Sequence, residues 1–442
     1  MKGVRFGIGL VVVLAGSLSA EAQSQSQQPE TVRSLEDAVR LAVERNERAG
    51  IATERENAAK ARVDRARAFF FPTVGVQGSW TRRPSARTAR VGDRDVVIQA
   101  QNAFAATATL GVTLFNGSLF PQYRAAVREA EATSLESQDD RRLLAFEAAD
   151  AYLLTLSAQQ VREAAERRKA FAREALEDAE TRAQAGLVST HDVTRARLEL
   201  SVAEQSATTA EGNAANALLQ LGFLVDASIA DSLQDPDGLF PQSPGAHEPQ
   251  ALAQQAREER PDLLALVKRA EAAEALAEEP LWRWIPSLGL GAQYRLTNEA
   301  GLAGRNQDWS AAVTLNWTLW DGGVRIAERA ERLAQARATR LEARFVERRS
   351  AVEVNAALVA LRTAEAAVKQ ALVSQEVARR NAEESQVLYG QGLARALEVT
   401  DAAQQLFEAE VSLARERYAR ALAWLDLRAA LGLDPLGREV AP

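Results

Sequence analysis

The 442-residue chain is 47% hydrophobic and 26% charged, with 53 basic and 60 acidic side chains and a formal net charge of −7. This mildly acidic balance disfavours a nucleic-acid partner, because proteins that bind nucleic acid usually present a basic face. Cysteine is absent and histidine occurs only as His191 and His247, which excludes disulfides and thiolate sites and leaves little for histidine chemistry or zinc binding. We therefore expect a protein that is not an enzyme, with no catalytic residues, no metal site and no cofactor.

The first residues have the pattern of a secretory signal peptide. Basic residues precede an apolar run at 6–14, and small residues follow up to Ala22, which ends an Ala-x-Ala cleavage pattern. A transmembrane anchor is the alternative, but the apolar run is too short to cross ~30 Å of hydrocarbon. We expect residues 1–22 to direct export and residues 23–33 to form an N-terminal extension.

Four short motifs occur in the same order in both halves of the chain, which indicates an internal repeat. We expect repeat 1 at 34–222, a linker rich in turn residues at 223–248, repeat 2 at 249–432 and a C-terminal tail at 433–442. The matching pairs are Phe71-Pro72 and Ile285-Pro286, Leu114–Gly117 and Leu319–Gly322, Gly186-Leu187 and Gly392-Leu393, and Leu221-Gly222 and Leu431-Gly432.

Each repeat is predicted to begin with a helix. In repeat 1 this helix spans 34–68, with Ser34 as its N-cap and Asp37 three residues later. A β-hairpin follows in each repeat, at about 73–115 in the first and about 287–320 in the second.

The hairpin strands are predicted from period-2 alternation. Apolar residues alternate with polar or small ones along 104–114, 288–296 and 309–319, and more weakly along 74–80. This length matches a tilted membrane strand of ~9–11 residues, although alternation alone also fits a soluble sandwich or hairpin. Aromatic residues occur near the strand ends, where interfacial girdles are found: Phe115, Trp284, Trp309 and Trp320.

Very long helical stretches follow the hairpins, from Asn116 to Gly186 and from Asp321 to Gly392. A continuous helix of this length would reach ~105 Å at 1.5 Å per residue. Its charged flanks place it in water rather than in lipid, and an ordinary solvated coiled coil or a spectrin-like bundle is the alternative. A coiled-coil seam is predicted at Val354, Leu358, Leu361, Val368 and Leu372.

Four membrane strands per chain cannot close a barrel, because the smallest such barrels have about eight strands and an open sheet leaves unsatisfied edges in lipid. The fold class is therefore predicted to be mainly α with membrane β. Three copies would contribute four strands each to a trimeric barrel of about twelve strands. Their long helices would form a coiled-coil barrel that ends at the two Gly-Leu tips, at 186–187 and 392–393.

This order of elements, written twice after a signal peptide, resembles the outer-membrane efflux protein family, the TolC-like outer-membrane factors. The resemblance implies a homotrimeric channel-tunnel in the outer membrane of a Gram-negative-type cell, which joins a periplasmic adaptor (membrane fusion protein) and an inner-membrane transporter and exports drugs, metals or proteins. The duct would be passive and would contact outer-membrane lipid. Many relatives carry a lipidated cysteine, so this cysteine-free chain is similar to the unacylated type.

The resemblance also implies that the two helical tips contact the adaptor. The alternative is that Gly-Leu only reverses the chain and that leucine covers the helix ends. The expected contact residues are Gly186, Leu187, Val188, Ser189, Gly392 and Leu393.

A periplasmic gate is expected just past the second tip. Glu398 and Asp401 lie at i and i+3 on one helix face, and three chains would form a carboxylate ring that favours cations; Asp192 occupies the corresponding place at the first tip. The alternative is an acidic helix start favoured by the helix dipole. Tyr389 resembles a family position that holds the tunnel shut, with Arg395 as an uncertain partner.

A second function stays open at this stage, a periplasmic coiled-coil scaffold or adaptor without a membrane barrel. Adaptors usually carry one helical hairpin, flanked by segments rich in Val and Gly. Two helical units and two β-hairpins in one chain favour the export duct over this alternative.

Overall fold

The computed structural model describes residues 31–91, 94–230, 232–236, 249–299 and 305–436. The predicted signal peptide at 1–22 lies outside the described residues, as do most of the predicted N-terminal extension, the proline-rich and glycine-rich part of the linker and the end of the C-terminal tail.

The same order of elements occurs in both halves of the chain. Within the described residues the helices are α1 (Leu35–Arg45), α2 (Glu47–Ala68), α3 (Leu119–Gln184), α4 (Thr190–Val225), α5 (Pro249–Glu259), α6 (Pro261–Ala277), α7 (Glu279–Trp282), α8 (Val324–Gly390) and α9 (Ala396–Leu431). The strands are β1 (Thr31–Val32), β2 (Thr73–Arg82), β3 (Arg87–Val91), β4 (Arg94–Gln99), β5 (Asn102–Phe115), β6 (Ser228–Ile229), β7 (Ser287–Thr297) and β8 (Gln307–Asn316).

The helix predicted over 34–68 is two helices, because the chain leaves helical geometry at Asn46. The Asn46 side-chain oxygen accepts a hydrogen bond from the Arg48 N–H at 3.0 Å, and its Nδ2 donates to the Leu224 carbonyl at 2.9 Å. Asn46 is thus the N-cap of α2, and the same side chain contacts the end of α4, far away in the sequence. Ser34 is the N-cap of α1, as predicted.

The predicted strands form one antiparallel sheet in the order β2-β5-β7-β8. The two hairpins are joined because β5 of the first pairs with β7 of the second, and the weakly predicted strand β2 is present. Residues directly opposite each other point to the same face of a sheet. One row is Val76, Ala108, Tyr294 and Trp309, and the next row, on the opposite face, is Gln77, Thr107, Arg295 and Asp308. The sheet thus has one apolar and one polar face.

The longer loop of the first hairpin contains a hairpin of its own. Strands β3 and β4 pair with each other as a separate two-stranded sheet beyond the end of β2. The second hairpin has no counterpart to them within the described residues.

The long helices α3 and α8 contain 66 and 67 residues, so each extends for about 100 Å. The predicted seam is buried at Val354, Leu358, Leu361 and Val368, but Leu372 is 42% exposed and Ala371 is buried in its place. The buried seam continues at Ala371 rather than at Leu372, because Ala357, Ala364 and Ala371 alternate with Val354, Leu361 and Val368 at a seven-residue spacing. None of the helices within the described residues combines the length and apolarity that a membrane crossing requires.

The main hydrophobic core lies where α1 packs against α3, α4 and α9. Its largest fully buried side chains include Leu35 and Leu41 of α1, Leu144 and Tyr152 of α3, and Leu425 of α9. Elsewhere the helix contacts consist mainly of alanine, whose small side chain lets helix backbones approach closely. This core holds the middle of the molecule and leaves the sheet at one end and the helix reversals at the other.

Candidate functional site

The first helical tip is a left-handed turn at Gly186. Its φ is +74°, a conformation that favours glycine because a Cβ would be strained there. The Gly186 N–H donates to the Ala183 carbonyl at 3.0 Å and the Leu187 N–H donates to the Arg182 carbonyl at 2.9 Å. These two bonds are the Schellman pattern that ends a helix, and they turn the chain from α3 towards α4.

The second tip repeats this geometry at Gly392, where φ is +77°. The Gly392 N–H donates to the Tyr389 carbonyl at 3.0 Å and the Leu393 N–H donates to the Leu388 carbonyl at 2.8 Å. The two Gly-Leu motifs therefore perform the same reversal in the two repeats.

The leucine of each motif projects into solvent. Leu187 is 75% exposed and Leu393 is 72% exposed, although the residue in this position of a Schellman turn commonly packs against the last turn of its helix. The leucines therefore do not cover the helix ends, and glycine alone accounts for the turn. Val188 is half-buried and Ser189 is exposed.

Asp192 takes part in the cap of α4. Its Oδ2 accepts hydrogen bonds from the Ser189 N–H at 3.1 Å and the Ser189 hydroxyl at 2.9 Å, while Ser189 Oγ accepts from the Asp192 N–H at 3.3 Å. This is a capping box. The hydrogen bonds from Ser189 hold the pKa of the Asp192 carboxyl below its usual value. The helix-start interpretation therefore accounts for this carboxylate.

Glu398 has a similar place at the start of α9. Its Oε2 accepts from the Arg395 N–H at 3.2 Å, so Arg395 is the N-cap residue and Glu398 lies three residues after it. Asp401 is exposed one turn further along and forms no hydrogen bond or ion pair with the residues that the structure describes. Of the predicted acidic residues, Asp401 is thus the one that the helix cap does not use.

Tyr389 contacts an arginine, but not the one considered from the sequence. The Arg182 guanidinium lies 4.5 Å from the centroid of the Tyr389 ring, which is a cation–π distance, and Arg182 also forms an ion pair with Asp178 at 2.9 Å. The contact joins the end of α3 to the end of α8. Burial raises the pKa of the Tyr389 hydroxyl, and the nearby Arg182 opposes this change.

A small cavity of about 40 Å³ lies among the helix ends of both repeats. Asp192 and Tyr389 line it together with Phe171, Val399 and Thr400, whereas Glu398 and Asp401 do not. The structure therefore brings two of the four predicted gate residues, Asp192 and Tyr389, to one cavity and leaves Glu398 and Asp401 outside it.

The other end of the helices is anchored at the sheet by a buried arginine. Arg325 is 3% exposed; it donates to the Asp321 carboxylate at 2.8 Å and to the carbonyls of Arg283 at 2.9 Å and Thr318 at 2.8 Å. Its guanidinium also lies 4.1 Å from the Trp284 ring centroid. Sequence reasoning noticed the Asp-Gly motif but missed Arg325, whose only sequence signal is its position four residues after Asp321.

Each half of the chain supplies one hairpin of an open four-stranded sheet with one apolar face, together with one pair of long helices, and this is the fold of outer-membrane efflux channels. The family model described as outer membrane efflux protein matches residues 38–225 and 252–433. The chain belongs to this family, as the resemblance predicted.

Solved structures support the same fold. A crystal structure of CusC matches with a TM-score of 0.76 at 18% identity, covering 93% of this chain and 96% of that chain. A membrane protein from Pseudomonas aeruginosa matches with a TM-score of 0.76 at 21% identity, covering 91% of each chain. The CmeC outer membrane channel of Campylobacter jejuni matches with a TM-score of 0.74 at 17% identity, covering 95% and 92%. No curated protein sequence matches the chain significantly.

Proposed function

We propose that three copies of this chain form an outer-membrane duct that passively conducts substrates from an inner-membrane transporter and its periplasmic adaptor to the cell exterior. The amphipathic sheet with two open edges carries this proposal. Among the residues that the structure describes, strands β2 and β8 each have one unpaired edge, and unsatisfied backbone groups are costly in lipid. Three copies would pair these edges and close a barrel of about twelve strands, with the apolar face towards lipid.

The helical part offers a matching contact between copies. An exposed apolar stripe on α8, formed by Phe345, Val352, Val359 and Val373, follows a seven-residue spacing. It lies opposite the buried face of the same helix, and no helix among the described residues covers it. A neighbouring copy in a tubular trimer supplies the partner that such a stripe requires.

Membrane fractionation distinguishes the duct from the alternative function, a periplasmic scaffold or adaptor without a barrel. The duct is expected in the outer membrane as a heat-modifiable trimer. A soluble periplasmic monomer would contradict the duct and support the scaffold. The exposed apolar face of the sheet favours the duct, because a soluble protein rarely leaves so large a patch in water.

The two exposed leucines support the proposed adaptor contact at the tips. We expect Leu187→Ser with Leu393→Ser to weaken binding of the purified adaptor by at least about tenfold, because burying one leucine contributes ~1.5–3 kcal/mol. Surface plasmon resonance with detergent-solubilised trimers measures this effect. The control L187M/L393M keeps the apolar surface and should bind normally. Unchanged binding by the serine variant would remove the leucines from the interface.

Asp401 is proposed as the main carboxylate of the periplasmic gate, with Glu398 and Asp192 holding the helix starts and Tyr389 holding the ends of α3 and α8 together. We expect Asp401→Asn to weaken block by multivalent cations in single-channel recordings, since three copies would lose three exposed charges at the pore. Glu398→Gln should have a smaller effect, because its carboxylate is engaged by the Arg395 N–H. Equal block in wild type and D401N would exclude Asp401 from the pore.

A further inference from the structure

The end of the sheet far from the helices carries exposed arginines next to exposed aromatic residues. Arg82 is the last residue of β2, two residues after Trp80, and the two therefore point to the same face. Trp80 lies directly opposite Phe104, and both rings are more than half exposed. Aromatic residues at a membrane surface mark the level of the lipid headgroups. Arg82 thus lies just beyond that level, on the apolar face.

The adjoining hairpin continues this basic surface. Arg87 begins β3 and is exposed, as is Arg90. Neither Arg82 nor Arg87 forms an ion pair or hydrogen bond with any residue in the described ranges. Val97 and Ile98 of the paired strand β4 are also exposed, so the hairpin presents apolar and cationic side chains together.

Arg83, the residue after Arg82, forms contacts within the chain and holds the base of this hairpin. Arg83 is ion-paired with Glu299 in the second hairpin loop and donates to the Ala100 carbonyl at 3.0 Å. The Ala100 N–H in turn donates to Glu299 at 2.7 Å. These bonds hold the two hairpin loops together and leave Arg82 and Arg87 available for a ligand outside the chain.

A groove lies at the same end of the sheet as Arg82, which follows its lining residue Trp80 by two positions on β2. A cavity of about 650 Å³ at this end of the sheet is lined by Trp80, Phe104 and Leu296, together with Gly78 and Ala106. Gly78 pairs with Ala106, and Ala106 pairs with Leu296, so a row of small residues lies between larger apolar side chains. Polar residues also line the groove, namely Ser79, Thr297, Asn298 and Asn306. Its apolar part, over Gly78 and Ala106 beside Trp80, suits a hydrocarbon chain.

We propose that this surface binds a phosphorylated, acylated lipid of the outer leaflet. One acyl chain lies over Gly78 and Ala106 beside Trp80, and the lipid phosphate binds Arg82 and Arg87. Arginine suits this role because its planar guanidinium donates two parallel hydrogen bonds to phosphate oxygens. The inference rests on the proposed function, since only a sheet in the outer membrane meets such a lipid.

Native mass spectrometry of detergent-solubilised trimers incubated with bisphosphorylated lipid A tests this site. Wild-type trimers should retain the lipid, and R82Q/R87Q should retain about tenfold less, because charge-assisted bonds to the phosphate are lost. The matched control R62Q/R65Q removes two exposed arginines from α2 and should retain as much lipid as wild type. Equal retention by R82Q/R87Q and wild type would overturn the proposal.

A second variant tests the groove without changing charge. Gly78→Leu fills the groove, and no atom lies within 4 Å of the position where a Cβ would be added, so the strand tolerates the substitution. Reduced retention of lipid A supports the acyl site, and unchanged retention overturns it. Binding of inorganic phosphate alone at the same concentration, or equal retention of phosphatidylcholine, would also contradict a site for a phosphorylated lipid.

The same samples separate this inference from the proposed duct. Wild-type trimers that conduct in planar bilayers but retain no lipid A would contradict only the lipid site. Failure of the wild-type chain to form trimers or to conduct would contradict the proposed function itself.

Discussion

Replacing Val352 and Val359 with aspartate is expected to reduce the trimer to a minor species. Val352 is 67% exposed and Val359 is 63% exposed in the single chain, and the proposed trimer buries both against a neighbouring copy. Each trimer would then bury six unpaired carboxylates, and an ionised group without a partner costs several kcal/mol. Heat-modifiability on gels and mass photometry of detergent-solubilised protein measure the trimer fraction, which should fall by at least about tenfold.

The control for this experiment keeps the stripe apolar. V352L/V359L preserves hydrophobic contact at the same two positions and should form trimers at nearly wild-type levels, since such swaps usually cost less than about 1.5 kcal/mol. Trimers that persist unchanged in V352D/V359D would show that α8 does not face another copy. The proposed tube would then need a different helix at its subunit boundary.

Replacing Arg325 with alanine is expected to cause the largest loss of stability within one protomer. The guanidinium is buried, bonded to one carboxylate and two carbonyls, and stacked on Trp284. Removing it leaves Asp321 and both carbonyls without this donor, and breaking a buried charge pair costs about 3–5 kcal/mol. The temperature at which trimers dissociate on gels should fall, and protease cleavage near the sheet–helix junction should increase.

Two further variants show whether the effect comes from the buried arginine. Arg329→Ala, one helical turn later, removes an exposed arginine and should change stability by no more than about 0.5 kcal/mol. R325K keeps the charge but loses the planar fork, so it should recover only part of the stability. If R325A were as stable as R329A, the junction would not depend on this side chain.

Some features of this molecule could be predicted from the sequence and others could not. The strands, the long helices and the two tips were predictable, because each depends on a short-range pattern. Alternation at 104–114 and 309–319 indicates a strand with two unlike faces, and Gly followed by Leu at 186 and 392 is typical of a helix end. The order of the elements was predictable as well, because the same motifs occur in the same order in both halves of the chain.

Contacts between residues that are distant in the sequence could not be predicted from such short-range patterns. The Asn46 side chain donates to the Leu224 carbonyl, and the Tyr389 partner is Arg182 on the other helical pair rather than the nearby Arg395. Arg325 has no sequence signal beyond its place four residues after Asp321, yet it is buried and contacts Asp321, Trp284 and two backbone carbonyls at the sheet–helix junction. The partners of Asn46 and Tyr389 are distant in sequence, whereas Arg325 combines the nearby Asp321 and Thr318 with the distant Arg283 and Trp284.

The amino-acid sequence by itself determined the two-repeat plan, the amphipathic strands and the glycine turns, because backbone conformation and hydrophobic periodicity are decided by neighbours a few residues apart. Only the tertiary structure decided which arginines are buried, which gate residues share a cavity and where an apolar stripe is left uncovered. Those outcomes depend on which distant side chains come into contact when α3, α4, α8 and α9 pack together. A pattern of neighbouring residues does not specify such long-range contacts.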